Sequence, residues 1–412
     1  MADIVRPLAL TAGLLARFWP QLLLIGSIGY ISRDLLLNAS VNVGMKHPLG
    51  GMVVLSLVVL TKLLVVVLMF SVLRPAMPAL AALRQQSIGG DASVDRPATG
   101  DHMLAVTAAA ILPFFAYYAA WGFLSDTVRE YSRLALERVQ FGEKLDIFDL
   151  VHSRGLAISI AACWVVRWFA KRMNARARSP YWRLLIVAAD ASWIFIGLYA
   201  LGVWKKDLIA WIGAESLLQS LNWPSLTSTA QAADGFTPVE FRPPPLFEQL
   251  QRLFFYALLP MVWLVMAAII NGYELSAASP PAATSGSATR RKWVRDFVKH
   301  FIGGYRSRYR PVWTCLRLTL SAGLATLLTF IIAYRGLNWL GAWLWFGATR
   351  WIGVHDLPTW QLIANVIGVF IGSPSDLDGG ILLDAVRIAL LAAVLEYAVA
   401  TQRTALAKPV ST

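Results

Sequence analysis

The chain has 412 residues, of which 57% are hydrophobic and only 15% are charged. A water-soluble protein of this length needs a larger charged surface, so the composition excludes a soluble globular fold. The formal net charge of +13 would indicate nucleic-acid binding in a soluble protein. Here membrane topology accounts for the basic residues, and no nucleic-acid partner is expected.

Apolar residues are concentrated in eight stretches that predict membrane-spanning helices. A helix of about 20 residues crosses a hydrocarbon core of about 30 Å, and helical structure satisfies the backbone inside lipid. We expect the first stretch to be a retained span, because Arg17 and Pro20 interrupt it and no small-residue cleavage site follows. The predicted spans are 10–30, 52–73, 103–124, 155–172, 184–204, 249–271, 313–334 and 378–398.

The placement of the basic residues predicts the orientation of the chain. Two long basic runs, 167–183 and 290–310, fall between spans on the same predicted side as both termini. Lys and Arg are enriched in cytoplasmic segments. We therefore expect a multi-pass protein of the plasma (inner) membrane with cytoplasmic N- and C-termini.

Two predicted cytoplasmic segments, 84–100 and 276–289, are rich in Ser, Ala, Pro and Gly. Such segments cannot build a core and are typical of flexible linkers. The second divides the chain into a six-span membrane region, 1–275, and a two-span membrane region, 290–412.

The outer segments after the first, third, fifth and seventh spans share a pattern. In each, a small or aromatic residue at the membrane exit is followed by Asp or Asn, and then by a helix-like pattern. Such an Asp can cap a helix that turns to lie on the membrane surface. The predicted fold is an all-α polytopic membrane protein whose eight spans form four hairpins with outer interfacial helices. Alternatively, any span exit attracts aromatic and capping residues. The capping positions are Asp34, Asp126, Asp207 and Asn338.

The fourth outer segment, 335–377, is rich in tryptophan. Its two apolar pieces flank His355, Asp356 and Pro358, and each is short for a span. Indole rings favour the headgroup level, so we expect a helical hairpin that lies on or dips into the outer leaflet. If both pieces cross, the span count becomes ten. The tryptophans are Trp339, Trp343, Trp345, Trp351 and Trp360.

Four ionisable residues fall deep inside predicted spans: Lys62, Asp190, Asp384 and Arg387. Charges in lipid are costly, so these side chains should face other helices. A Lys62–Asp190 ion pair is compatible with their depths, and Asp384 and Arg387 share one helical face. Their charges sum to zero. This suits ion pairs that hold helices together, and it equally suits a transport pathway.

Other unusual residues in the spans are interpreted structurally. Glu396 and Arg167 lie near predicted cytoplasmic ends, where we expect them to reach the interface. Prolines within spans predict kinks, although broken helices also mark transporter sites. These prolines are Pro20, Pro113 and Pro260.

The sequence carries no nucleotide-binding loop, zinc-protease motif or serine-hydrolase motif, and its five histidines have no metal-ligand spacing. No catalytic residue, metal or cofactor is therefore expected, and an enzyme is disfavoured.

Three functions are compatible with these features. The first is a transporter or flippase-like protein for a lipid or amphiphile, with membrane lipids as partners. The second is a non-enzymatic subunit or assembly factor of a cell-envelope complex, bound to a membrane or extracytoplasmic protein through its apolar outer surface. The third is an outer-leaflet lipid-modifying enzyme. Its candidate acids and bases are Asp34, Asp126, His152, Asp207, His355 and Asp356, and the interfacial candidates also include Trp339, Trp343 and Trp351.

Overall fold

The structure is a computed structural model. It describes residues 2–87, 106–108, 110–111, 114–115, 118, 123–138, 153–176, 180–212, 246–277, 324–372 and 379–407. The regular structure in these ranges is helical, without a strand. A 3-10 turn, Arg74–Ala76, links the second and third helices. The α-helices are α1 (Ala2–Gly44), α2 (Pro48–Leu73), α3 (Pro78–Ser87), α4 (Phe123–Leu136), α5 (Ser153–Arg176), α6 (Pro180–Ile212), α7 (Leu246–Ala277), α8 (Leu324–Ile352), α9 (Leu357–Ile371) and α10 (Ile381–Ala407).

Within the described ranges, four helices are long and apolar enough to cross a membrane. Two shorter apolar helices, Tyr256–Asn271 and Leu357–Ile371, accompany them. This is the composition of an all-α membrane protein, as the sequence predicts. The four long apolar helices are Val5–Gly44, Pro48–Ala76, Tyr181–Tyr199 and Ala325–Ile352.

The predicted spans coincide with helices wherever the structure describes them. Five of them lie entirely within α1, α2, α5, α6 and α7, and the last lies in α10 from residue 381 onwards. Most of 103–124 and the first part of 313–334 fall outside the described residues, as does most of the predicted linker 276–289. The first four residues of the other predicted linker, 84–87, belong to α3.

Helix α10 forms the centre of the bundle. Every residue from Ile388 to Val399 is buried, and α1, α2, α3, α7, α8 and α9 all pack against it. A helix that is apolar on all faces requires such a surrounded position. Yet α10 also carries Asp384, Arg387 and Glu396, which therefore have to find partners inside the protein.

Helices α1 and α2 form a tightly packed antiparallel hairpin. At its turn, a Cβ added to Gly51 would lie 2.7 Å from the Cα of Gly44, so the close approach requires glycine. Helix α2 also contacts α6, where the hydroxyls of Ser56 and Ser192 are hydrogen-bonded at 2.8 Å. The hairpin thus links α10 on one side to α6 on the other.

Asp34, Asp207 and Asn338 do not cap separate interfacial helices, which corrects the sequence expectation. All three lie inside continuous helices: Asp34 in α1, Asp207 in α6 and Asn338 in α8. The physical reason is clearest in α1. Three leucines, which favour helix, follow Asp34. Leu37 and Val41 are buried, so α1 continues to pack against the bundle beyond Asp34.

The tryptophan-rich segment is a hairpin of unequal arms. Its first arm belongs to helix α8, which begins before the segment at Leu324 and runs without a break for 29 residues, about 44 Å at 1.5 Å per residue. Gly353, with φ 84°, begins the turn, and α9 returns for 15 residues. At about 22 Å, α9 is shorter than a hydrocarbon core of about 30 Å.

Glu396 is buried and does not reach an interface, contrary to the sequence expectation. Its carboxylate accepts the backbone N–H of Ala79 at 2.6 Å and of Leu80 at 3.1 Å. These are the second and third residues of α3. Met77, directly before α3, has no side-chain oxygen that could cap the helix. Glu396 therefore supplies the cap from another helix, and its negative charge suits the helix N-terminus.

Arg335 satisfies the carbonyl that Pro260 leaves without a donor. Proline has no N–H, so the carbonyl of Tyr256, four residues earlier in α7, loses its helical hydrogen bond. The Nε and a terminal nitrogen of Arg335 donate to this carbonyl at 2.9 and 2.6 Å. The guanidinium also lies 4.8 Å from the centre of the Tyr256 ring. A side chain of α8 thus replaces the backbone hydrogen bond that α7 lacks at Pro260.

This pairing predicts a coupled effect of two substitutions. Arg335→Ala should lower stability by about 1–3 kcal/mol in the parent protein, because it leaves a carbonyl without a donor. In a Pro260→Ala background the new N–H can serve the Tyr256 carbonyl, so Arg335→Ala should cost clearly less. Thermal denaturation of the four proteins in one detergent measures the coupling. Additive effects of the two changes would contradict it.

Candidate functional site

A cavity of about 560 Å³ lies between the second half of α1, the middle of α2, and the first half of α10. Residues of α4, α7, α8 and α9 complete its wall. Aromatic side chains contribute to this wall from three helices, Tyr30 from α1, Trp263 from α7, and Tyr334 and Trp345 from α8. The volume lies within the range of small-molecule sites, about 300–1,000 Å³.

A charged cluster, defined as Lys62, Asp384, Arg387 and Asn338, holds three helices together at the cavity. The Lys62 Nζ of α2 donates to Asp384 Oδ2 at 2.9 Å, and Arg387 donates to Asp384 Oδ1 at 3.0 Å. The second terminal nitrogen of Arg387 donates to Asn338 Oδ1 of α8 at 2.6 Å. Asp384 therefore bridges two basic groups, one from each of two helices.

The start of α10 explains the position of this cluster. Gly379 and Gly380 precede the helix, and a Cβ on Gly380 would overlap the backbone of α9 at Ile371 and Gly372. Asp384 lies in the first turn, where a negative charge is favoured by the helix dipole. Arg387 follows three residues later on the same face. The two glycines thus let the end of α9 lie close to the start of α10. The i, i+3 spacing places Asp384 beside Arg387.

A second, more exposed ion pair lies on the cavity wall between α1 and α4. Arg33 and Glu130 pair through both guanidinium nitrogens, with the longer contact at 3.3 Å. Their side chains are 28% and 40% exposed, whereas those of Lys62 and Asp384 are 19% and 23% exposed. Arg129 and Arg133 of α4 also line the cavity. We call these four residues the rim.

Tyr131 fixes α4 against the α1–α2 hairpin. Its ring is buried, and its hydroxyl lies beside Gly44 and Gly51, where an added Cβ would meet it. Burial raises the pKa of the Tyr131 hydroxyl, so it stays neutral at physiological pH. Arg138, after α4, reaches back to Asn38 and Asn42 at 2.5 Å each. The rim is therefore held against the α1–α2 hairpin at Tyr131 and, just after the end of α4, against α1 at Arg138.

Three of the four deep residues singled out from the sequence come together in the charged cluster. The fourth, Asp190 of α6, lies elsewhere and pairs with Arg167 of α5. It also accepts the indole N–H of Trp193 at 3.1 Å. The suggested Lys62–Asp190 pair is therefore replaced by Lys62–Asp384 and Arg167–Asp190. Arg167 is a paired side chain in the bundle, where the sequence suggested an interfacial one.

None of the outer candidates whose side chains the structure describes lines the cavity. Asp34 is exposed on α1, and its partner is Asn38 of the same helix. Asp126 and Asp207 lie in α4 and α6, and their side chains are outside the described set, as is His152 altogether. His355 is exposed, with its ring 6.2 Å from that of Trp360. The exposed tryptophans of α8 are Trp339, Trp343 and Trp351.

Asp356 is fully exposed before α9. A hydrogen bond from the Thr359 side chain lowers its carboxyl pKa. A lowered pKa keeps this group ionised at neutral pH, which does not suit a general acid.

Sequence reasoning missed the rim pair. Arg33 and Glu130 are 97 residues apart, and each looks like an ordinary surface charge beside a span. The sequence signal at this pair is limited to Arg33, which lies on the same face of α1 as the buried Leu37, four residues later.

Comparison of the chain with protein-family models, with curated proteins and with solved structures finds no match. The fold and the site define its class: a helical membrane protein with a charged internal cavity.

Removal of Asp384 should destabilise the charged cluster. Asp384→Asn leaves Lys62 and Arg387 without their shared carboxylate, and breaking such a pair from one side costs about 3–5 kcal/mol when it is buried. Adding Lys62→Met to that variant removes one uncompensated cation and should restore part of the stability. Thermal unfolding in detergent measures both changes.

The matched control is Asp34→Asn, the same change at an exposed carboxylate, which should stay within about 0.5 kcal/mol of the parent. A double variant no more stable than Asp384→Asn alone would refute the pairing.

Proposed function

We propose that this protein is a transporter or flippase-like protein for a lipid or amphiphile, and that the cavity receives the polar headgroup. The observation that carries the proposal is that Lys62, Asp384 and Arg387 line a cavity. Charges used only to join helices can be packed in dry contacts, whereas these remain partly accessible. Ionisable groups that face an internal cavity are typical of transport pathways.

The proposed topology is the eight-span arrangement in the plasma membrane with both termini in the cytoplasm. In this orientation the α1–α2 turn, α4, the α8–α9 turn and the beginning of α10 belong to the outer side. The cavity then lies in the outer half of the membrane. The four outward hairpins would be formed by successive span pairs, with continuous helices extending beyond the membrane at α1 and α6.

The exposed apolar surface supports a lipid-like substrate. Helix α9 has no buried residue, and its exposed side includes Leu362, Val366 and Phe370, while Ala364 and Gly368 line the cavity. Asn365 and Val369 of α9 also line the cavity, so one helix presents two small residues and an amide to the cavity and large apolar residues to the surroundings. An amphiphile could keep its tail in the bilayer beside α9 while its headgroup enters the cavity.

The topology predicts which positions an impermeant reagent reaches. After Cys163→Ser and Cys315→Ser, single cysteines would be introduced as Val354→Cys and Ala175→Cys, both at exposed positions. Val354→Cys should react with a membrane-impermeant maleimide in intact cells, because it lies on the outer turn. Ala175→Cys should react only after permeabilisation. The reverse pattern would overturn the orientation, and the cysteine-free protein gives the background.

The transport proposal predicts lipid movement that depends on the cluster. Purified protein would be reconstituted into phosphatidylcholine vesicles with trace fluorescent phosphatidylglycerol, phosphatidylethanolamine or phosphatidylcholine, and flipping read from dithionite quenching. The parent should accelerate flipping of at least one lipid. Lys62→Met should reduce the rate about tenfold or more, since a charge-assisted contact contributes about 1.5–3 kcal/mol.

The matched control is Lys46→Met, the same substitution at an exposed lysine after α1. It should flip like the parent. Equal rates for Lys62→Met and the parent, with both folded, would exclude the cavity as the pathway. No flipping of any lipid, together with a stoichiometric co-purified protein, would favour the envelope-complex subunit instead.

A further inference from the structure

The described lining of the cavity is strongly basic. Five basic side chains face two acidic ones, so positive charge exceeds negative charge by three among these residues. They come from α1, α2, α4 and α10, so the excess is spread around the cavity. The basic residues are Arg33, Lys62, Arg129, Arg133 and Arg387, and the acidic ones are Glu130 and Asp384.

Both carboxylates are already engaged by basic groups. Each oxygen of Asp384 accepts one donor, from Lys62 and from Arg387, and both oxygens of Glu130 pair with Arg33. Outside the cavity lining, Arg133 contacts Glu137 at 3.1 Å, with side chains 79% and 55% exposed. Water screens such an exposed pair, so it offsets little of the cavity's positive potential.

We propose that the headgroup received by the cavity carries a phosphate group with net negative charge. This inference rests on the transport function proposed above and specifies its substrate class. Lys62 and Arg387 would bind the phosphate oxygens, and the rim arginines would attract the anion. Guanidinium groups match phosphate geometry through paired hydrogen bonds, and an ammonium group adds a compact charge.

The charged cluster is already arranged for such a ligand. Asp384 holds Lys62 and Arg387 on either side of one carboxylate, and Asn338 fixes the other end of the guanidinium. Lys62 and Arg387 are both held at hydrogen-bond distance from Asp384. The two cations are therefore close enough together to bind one phosphate group of a ligand. Gly380, directly before α10, and Ile381, its first residue, also line the cavity, where the positive end of the helix dipole adds to the attraction.

The same charges disfavour other headgroups. A choline or ethanolamine group brings a cation, and both lining carboxylates are occupied. The phosphate of a zwitterionic lipid would therefore strengthen its binding, and the amine would weaken it. Selectivity for phosphatidylglycerol over phosphatidylcholine is the expected consequence.

Binding to the detergent-solubilised full-length protein tests the inference. Isothermal titration calorimetry would compare short-chain phosphatidylglycerol, short-chain phosphatidylcholine, glycerol 1-phosphate and inorganic phosphate. Phosphatidylglycerol should bind about tenfold or more tightly than phosphatidylcholine, and its affinity should fall as salt rises. Lys62→Met should lower the affinity for phosphatidylglycerol about tenfold, whereas Lys46→Met should leave it unchanged.

Arg387 provides an independent variant in case Lys62→Met does not fold. Arg387→Gln should weaken phosphatidylglycerol binding about tenfold. Arg387→Lys should weaken it less, because lysine keeps the positive charge but lacks the paired donors of the guanidinium. The inference is overturned if phosphatidylcholine binds equally well, if nothing binds, or if both substitutions leave phosphatidylglycerol affinity unchanged.

The remaining outcomes separate this inference from the proposed function. Flipping of phosphatidylcholine without preference for phosphatidylglycerol would refute the headgroup class and leave lipid transport intact. Glycerol 1-phosphate binding as tightly as the lipid would support the phosphate site, and absence of flipping would then refute the lipid as its source.

Discussion

Helix α10 is enclosed by its neighbours along most of its length, so each charge it carries has to be balanced within the protein. At one end, Asp384 and Arg387 form the charged cluster with Lys62 and Asn338. Toward the other end, Glu396 caps the N-terminus of α3 through two backbone N–H groups. Charges in lipid are costly. The positions of α2, α3 and α8 around α10 therefore depend on these partners as well as on apolar packing.

Polar side chains in the bundle perform two different tasks. Arg335 donates to the carbonyl that Pro260 leaves without its helical donor, and Ser56 and Ser192 join α2 to α6. Such groups compensate defects in a helix or connect two helices. The charged cluster differs because its members also line a cavity. Its position on the cavity wall, rather than charge or exposure, singles out the cluster, because the Arg167 and Asp190 side chains are 30% and 18% exposed and thus as accessible as those of Lys62 and Asp384.

Sequence alone could predict what depends on local spacing and apolar length. It predicted helices at the described spans, the shared face of Asp384 and Arg387, and the depth of Lys62. It could not choose Asp384 over Asp190 as the partner of Lys62, because hydropathy does not say which helices touch. It also placed a helix boundary at Asp34, although buried Leu37 and Val41 carry α1 onward. Partner choice and helix continuation both depend on tertiary packing.

An ion-paired cavity can still bind a ligand, because the ligand can exchange for an existing partner. Asp384 balances Lys62 and Arg387 when the cavity holds no headgroup. An entering anion that takes over some of these hydrogen bonds leaves neither cation without a counter-charge, and Asp384 has to keep at least one of its two donors, because a buried carboxylate without a partner would carry the same penalty. The basic excess of the described lining would make this exchange favourable for an anion and unfavourable for a cation. Pairing within the cluster and the anion selectivity that we propose would thus have the same electrostatic origin.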